Sequence, residues 1–145
     1  MQSLAPPVLQ QLLAAAEQAQ ARAYAPYSHY AVGAAVLDEH GAIHAGCNVE
    51  NAASPQGWCA EATALGAMVM AGGQRAKAVL VFGPGPDTVT PCGGCRQKLR
   101  EFGDADLLVL AADASGLRRS WTLEQLLPDS FGPGHLVAPP STSCE

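Results

Sequence analysis

Two cysteine-bearing strings constrain this chain more than any other feature: CAE at residues 59–61 and PCGGC at residues 91–95. Cys92 and Cys95 are three residues apart at the start of a helix, so their sulfurs converge on one face. The same helix end favours negative charge and is expected to lower thiol pKa values, promoting the thiolate form that binds metal. Cys59 opens a second helix, so the fold must bring two helix starts side by side. Three thiolates leave a tetrahedral Zn²⁺ one open position for water, and Glu61 adds a carboxylate able to move protons. A lone CxxC also serves redox or structural roles. With CAE upstream and a proline directly before the CxxC, a catalytic zinc site is the stronger reading. Cys47 is the alternative fourth ligand that would close a structural Cys₄ centre, although its strand-end position fits a small buried hydrophobe. Glu61, two residues after Cys59, does not share its helix face and suits a place near the open position. The plainer reading is a solvated first-turn glutamate.

The 145 residues are enough for one domain with a real hydrophobic core. No apolar run reaches membrane-spanning length, and residues 1–10 lack a basic segment followed by a hydrophobic stretch. A cytoplasmic protein is therefore expected. The five cysteines are an odd count, which favours reduced thiols and metal over a disulfide framework. A formal net charge of −5 lacks the Lys and Arg footprint of a polynucleotide binder, so a small substrate is expected.

Along the chain, apolar residues at helical spacing predict an amphipathic helix over 8–24, ended by Pro26. Segments 30–37 and 43–47 read as an antiparallel hairpin across a Gly-bearing loop, and 48–57 as loop. Residues 59–71 are rich in helix formers, with Gly72 and Gly73 as a stop. A strand over 78–82 precedes a Gly/Pro loop. Thr90 as N-cap and Pro91 at the first helical position then predict a helix over 91–102. A strand follows at 107–111, a short strand and helix within 120–127, and a polar tail at 137–145 after a domain over 1–136. This order implies an α/β layer architecture, a mixed sheet covered by helices.

The strings APYSHYAVGAAV, GCNVENA, CAE, TPCGGCRQKLREFG and LLPDSFGP, in that order, resemble the small, homotetrameric zinc-dependent cytidine deaminase family. The resemblance implies a single-domain three-layer sandwich with a mixed five-stranded sheet. It also implies hydrolytic deamination of cytidine and 2′-deoxycytidine to the uridines, with release of ammonia, as in pyrimidine salvage. It assigns Cys59, Cys92 and Cys95 to zinc and Glu61 to proton transfer. Asn48 and Glu50 match the positions that hold the ribose 3′-hydroxyl, a role their donor and acceptor chemistry suits; loop capping is the plainer alternative. Backbone groups around Ala60 and Pro91 are implied to contact the pyrimidine and the zinc-bound oxygen. Phe131 matches an aromatic that reaches a neighbouring subunit's pocket in a homotetramer, against the plainer reading of a packing Phe.

Three positions depart from the family pattern. Tyr30 replaces the Phe of YSxF and keeps a ring able to stack on a base. Ser54 stands where an aromatic is usual, which leaves the pocket rim less apolar. Ala62 replaces the Arg of CAER beside the thiolates, where a unit charge about 4 Å away is worth roughly 4 kcal/mol at an effective dielectric near 20. Arg96, in CRQ, is then the remaining positive partner of the sulfurs, unless backbone amides at the two helix ends already neutralise them. Two other functions stay open: a deaminase of another aminopyrimidine, as in the blasticidin S deaminase family, and a non-catalytic zinc-stabilised nucleoside-binding protein.

Overall fold

The structure, a computed structural model, describes residues 3–136. The expected tail at 137–145, with Cys144, lies outside the described residues. Nine elements follow one another: α1 (Pro6–Gln20), β1 (Gly33–Asp38), β2 (Ile43–Cys47), α2 (Ala60–Met70), β3 (Ala76–Phe82), α3 (Gly93–Phe102), β4 (Leu108–Asp113), β5 (Gly116–Thr122) and α4 (Leu123–Leu126). The strands form one mixed sheet in the order β2-β1-β3-β4-β5, in which β3 and β4 run parallel and the other neighbours antiparallel. The expected sandwich is thus present.

The period of two along the central strands sorts side chains between the layers. Leu80, Phe82, Leu108 and Leu110 face one way and meet Leu12 and Ala16 of α1. Val36, Val79 and Val109 face the other way and meet Leu65 and Met68 of α2, Leu99 of α3 and Leu123 of α4. Because both faces of β3 are covered, its sequence AKAVLVF is an almost continuous apolar run. A leucine as fully buried as Leu80 contributes about 1.5–3 kcal/mol through burial alone.

Element boundaries differ from the sequence expectation for local reasons. Helix α1 begins at Pro6, since proline is tolerated where the amide has no intrahelical partner. It ends at Gln20 rather than near 24 because Tyr24 leaves the helix to pair with the loop: Tyr24 N donates to Asn48 O at 3.0 Å and Glu50 N to Tyr24 O at 2.8 Å. Helix α3 begins at Gly93, and its N-cap is Cys92, not Thr90. Strand β5 is longer than expected because its polar GLRRSWT sequence lies at a sheet edge, where its middle residues, Leu117 to Ser120, stay exposed on both faces.

Strand β2 approaches α2 closely at Gly46, where an added Cβ would collide with Ala64 N and lie 2.8 Å from Ala60 O. Gly46→Ala is therefore expected to destabilise the protein by about 1–3 kcal/mol, the usual cost of overpacking, or more. It should also displace the α2 end that carries Cys59 and Glu61. Calorimetry and metal content measure both effects; an unchanged melting temperature would show that the helix can retreat without cost.

Candidate metal centre and substrate cleft

Strand β1 starts where β2 and β3 end: Gly33 pairs with Cys47 on one side and Phe82 on the other. The chain leaves β2 into the 48–58 loop and returns as α2; it leaves β3 into the 83–92 loop and returns as α3. Both helix starts consequently lie at one end of the sheet, where crevices outside strand ends commonly form sites. Cys59 and Cys92 occupy equivalent N-cap positions, both extended, and their carbonyls accept from Thr63 N at 3.2 Å and Arg96 N at 2.9 Å. Cys95 follows in the first turn of α3 and is buried.

The three sulfurs lie within 4.8 Å of one another, and Cys59 Sγ is 3.7 Å from Cys92 Sγ. Sulfurs bound tetrahedrally at about 2.3 Å from zinc are about 3.8 Å apart, so this cluster fits the ion with little rearrangement. Among the described residues it is the cluster of three or more metal-ligating side chains that forms. Cys47, on β2 and half-buried, is not part of it.

The thiols do not respond alike to the helix ends. Burial pushes Cys59 and Cys95 up; at Cys59 the Cys95 thiol partly offsets the rise while Cys92 and Glu61 add to it, and at Cys95 Glu61 and both other sulfurs add to it. At Cys92 burial also works upward, but the Cys95 backbone N–H and the two neighbouring thiols outweigh it, and the net shift is down. The expected lowering by a helix N-terminus therefore holds for Cys92 only, because the other two sulfurs lose more hydration than the amides return. Glu61 is only 4% exposed. Burial raises its carboxyl above the usual range despite the Cys95 thiol and the charge of Lys98, so the solvated first-turn reading does not describe it.

Arg96 directs its guanidinium to oxygen: Nε to Pro91 O at 2.8 Å, NH1 to Leu126 O at 2.8 Å and NH2 to Thr90 Oγ1 at 3.2 Å. These bonds fasten the segment entering α3 to α4, which holds Cys92 in place. They are not the sulfur contacts expected for charge compensation, whereas the Cys95 amide does point to a sulfur. Pro91 and Ala60 are both buried beside the cysteines that follow or precede them in sequence.

Next to the cysteines an open cleft of about 460 Å³ is lined by Tyr27, Asn48, Glu50, Ser54, Trp58 and Cys59, among others. That size is within the range of small-molecule sites, about 300–1,000 Å³. Asn48 lies at the end of β2; its Nδ2 donates to Tyr30 O at 2.8 Å and its Oδ1 accepts from Val32 N at 2.9 Å. Glu50 Oε1 accepts from Tyr27 N at 3.1 Å and Ser28 N at 3.2 Å. Burial works to raise this carboxyl, but the Ser28 and Tyr27 hydrogen bonds prevail and lower it. Both side chains thus fasten the 24–32 segment, and each retains capacity for a further hydrogen bond. Tyr30 is exposed and tied to the cleft through Asn48. Phe131 is exposed, stacks on His135 with centroids 4.9 Å apart, and its carbonyl accepts from Gln97 Nε2 at 2.9 Å; it does not line this cleft. A second cavity of about 250 Å³, between Leu4 and Leu9 on one side and Leu108, Leu110 and Leu117 on the other, has no titratable lining.

Sequence reasoning overlooked Tyr27 and Trp58 as cleft residues. The available signal was an aromatic inside APYS and another directly before Cys59.

Residues 7–111 match a family model described as the cytidine and deoxycytidylate deaminase zinc-binding region. A cytidine deaminase of Sporosarcina psychrophila is 39% identical over 123 residues, covering 85% of this chain and 90% of the relative. Among solved structures, a cytidine deaminase from Burkholderia pseudomallei is 40% identical with a TM-score of 0.79, covering 84% of this chain and 98% of that one. The enzyme from Mycobacterium tuberculosis is 41% identical with a TM-score of 0.73, covering 85% and 96% respectively. The three clustered thiols, the buried glutamate beside them and these likenesses lead to one assignment: the chain belongs to the cytidine and deoxycytidylate deaminase zinc-binding family.

Proposed function

We propose that this protein catalyses the hydrolytic deamination of cytidine and 2′-deoxycytidine to the uridines, releasing ammonia for pyrimidine salvage in the cytoplasm. The observation that carries the reading is a buried carboxyl, Glu61, beside three thiols spaced for zinc. Cys59, Cys92 and Cys95 would hold the ion, which when bound acts as a Lewis acid and lowers the pKa of water. Addition of water at C4 of the base needs a proton delivered to N3, and loss of the C4–N4 bond needs another on the departing amine. Glu61 is assigned both transfers, because a carboxyl can take a proton from water and pass it on without leaving the site.

The cleft favours a nucleoside over a nucleotide. Its lining holds a carboxylate, Glu50, and no Lys or Arg, so a phosphate group would meet repulsion instead of a cation. The remaining hydrogen-bond capacity of Asn48 and Glu50 is assigned to the sugar hydroxyl. The exposed rings of Phe131, Tyr24, Tyr27 and Tyr30 support assembly into a homotetramer with sites completed between subunits, where Phe131 would meet a neighbour's cleft. Light scattering reads that assembly directly. No helix of the described residues is long and apolar enough to cross a membrane.

The deciding experiment follows loss of the amine from cytidine, deoxycytidine, cytosine, deoxycytidylate and blasticidin S. Action on the two nucleosides ahead of the others supports the reading; preference for deoxycytidylate or blasticidin S, or no reaction at all, replaces it. Asn48→Ala and Glu50→Ala are expected to weaken use of cytidine by about 1–3 kcal/mol, roughly 5- to 150-fold in kcat/KM, with a much smaller effect on cytosine. Equal losses on both substrates would assign these residues to loop fastening alone.

A further inference from the structure

Trp58 is the cleft residue whose placement is least explained by folding. Its indole belongs to a residue 64% exposed, although burial of so large an apolar ring normally stabilises a fold. The exposure does not come from a loose backbone. Trp58 N donates to Val49 O at 2.8 Å and Val49 N donates to Trp58 O at 2.9 Å, so the residue is clamped by a reciprocal pair of hydrogen bonds. Val49 is itself flanked by Asn48 and Glu50, which ties Trp58 to the residues assigned to the sugar. The next residue along the chain is Cys59, a metal ligand. A solvent-exposed indole on a clamped backbone thus lines the cleft between Asn48 and Glu50 in one segment and Cys59 in the next.

The rest of the lining shows what the indole is for. Asn48, Glu50, Asn51 and Ser54 present hydrogen-bonding groups, and Ser54 puts a small hydroxyl where the family pattern has an aromatic. A pyrimidine nucleoside has flat apolar faces that such groups do not cover. Tyr27 and Trp58 are the aromatic residues of the lining, and only Trp58 adjoins the metal ligand. Ser54 opens the short 3-10 turn Ser54–Gln56 and Trp58 follows it two residues past its end, so a ring lost at its start can be replaced by one just beyond it.

We propose that Trp58 is a substrate-binding residue that packs its indole on the bound nucleoside, supplying the apolar wall that Ser54 does not. The role rests on the nucleoside reading of the cleft and deepens it. It requires the indole to set affinity without taking part in proton transfer or metal binding, since those fall to Glu61 and the three cysteines.

The test uses the zinc-loaded protein. Trp58→Ala is expected to raise KM for cytidine about tenfold or more, the usual consequence of removing one aromatic from a base, with kcat, zinc content and melting temperature little changed. Trp58→Phe should recover most of the loss. The chain has two tryptophans, so Trp121→Phe leaves Trp58 as the sole indole reporter. Its emission is expected to shift and saturate as uridine, the reaction product, is added. A KM within twofold of the parent for Trp58→Ala, a loss of zinc or stability that accounts for its defect, or emission unmoved by saturating uridine would overturn the proposal. Emission that instead follows protein dilution would assign Trp58 to a contact between copies and also overturn it. A parent protein inactive on cytidine would remove the functional reading itself, and the uridine titration would then decide Trp58 independently.

Discussion

Glu61→Gln is expected to lower turnover of cytidine by about 10²- to 10⁴-fold, the range for loss of a positioned acid–base group, while zinc content and melting temperature hold. Glutamine keeps the shape of the side chain and a carbonyl oxygen that can still accept a hydrogen bond. It cannot take up and release a proton at the same atom. The site tolerates the change structurally because the native carboxyl is 4% exposed and disfavoured in its charged form there. Removing a buried charge that lacks a full countercharge relieves desolvation. The loss should consequently appear in kcat, with KM altered far less, since Glu61 is not among the residues that line the cleft. Steady-state kinetics, metal analysis and calorimetry on one preparation separate these quantities. Near-parental turnover would remove Glu61 from proton transfer, and loss of zinc would make it a ligand instead.

The metal centre was legible in the sequence because its chemistry is local: CAE and PCGGC each put cysteine at a helix start, and thiols in that pattern serve few purposes. The layer architecture was legible for a similar reason, since AKAVLVF and LLVL are apolar runs that only a sheet covered on both faces can bury. What could not be read depends on partners distant in the chain. The end of α1 is set by Tyr24 pairing with Asn48 and Glu50, and helical periodicity alone carries the pattern past it. Cys92 displaces Thr90 as N-cap because the Arg96 guanidinium holds Pro91 O and Thr90 Oγ1 outside the helix.

The thiol environments show the same division. A helix N-terminus is visible in sequence and lowers a thiol pKa, but the burial that raises Cys59 and Cys95 depends on how the two helices and the sheet end close over them. Arg96 is an instructive case. Its charge and its place in CRQ make it look like a partner for sulfur, yet Leu126 O, thirty residues away, claims one of its donors. The contact fixes where α3 starts, and through that the position of Cys92.

Loss of any one thiol should empty the metal site, and Cys95→Ala should do the most damage to the fold. Among the described residues the ion has no fourth cysteine to fall back on, because Cys47 lies outside the cluster on β2. Zinc content is therefore expected to fall from one per chain to near none in Cys59→Ala, Cys92→Ala and Cys95→Ala alike, while Cys47→Ala retains it. The stability cost has two sources. One is shared: without metal, the N-termini of α2 and α3 lose the bond that joins them, and metal affinity that contributed to folding is withdrawn. The other belongs to Cys95, which is 1% exposed and packs as a core residue, so truncating it also leaves a small void. The shared part can be measured without mutation by chelating the parent protein, whose melting temperature should drop to that of Cys59→Ala and Cys92→Ala. Cys95→Ala should melt lower still. The core layers on both faces of the sheet remain, so circular dichroism should report a folded but loosened domain. Full zinc occupancy in any of the three variants, or its loss in Cys47→Ala, would overturn the three-thiolate assignment. A chelated parent that melts with the loaded one would show that the ion serves chemistry without bracing the helices.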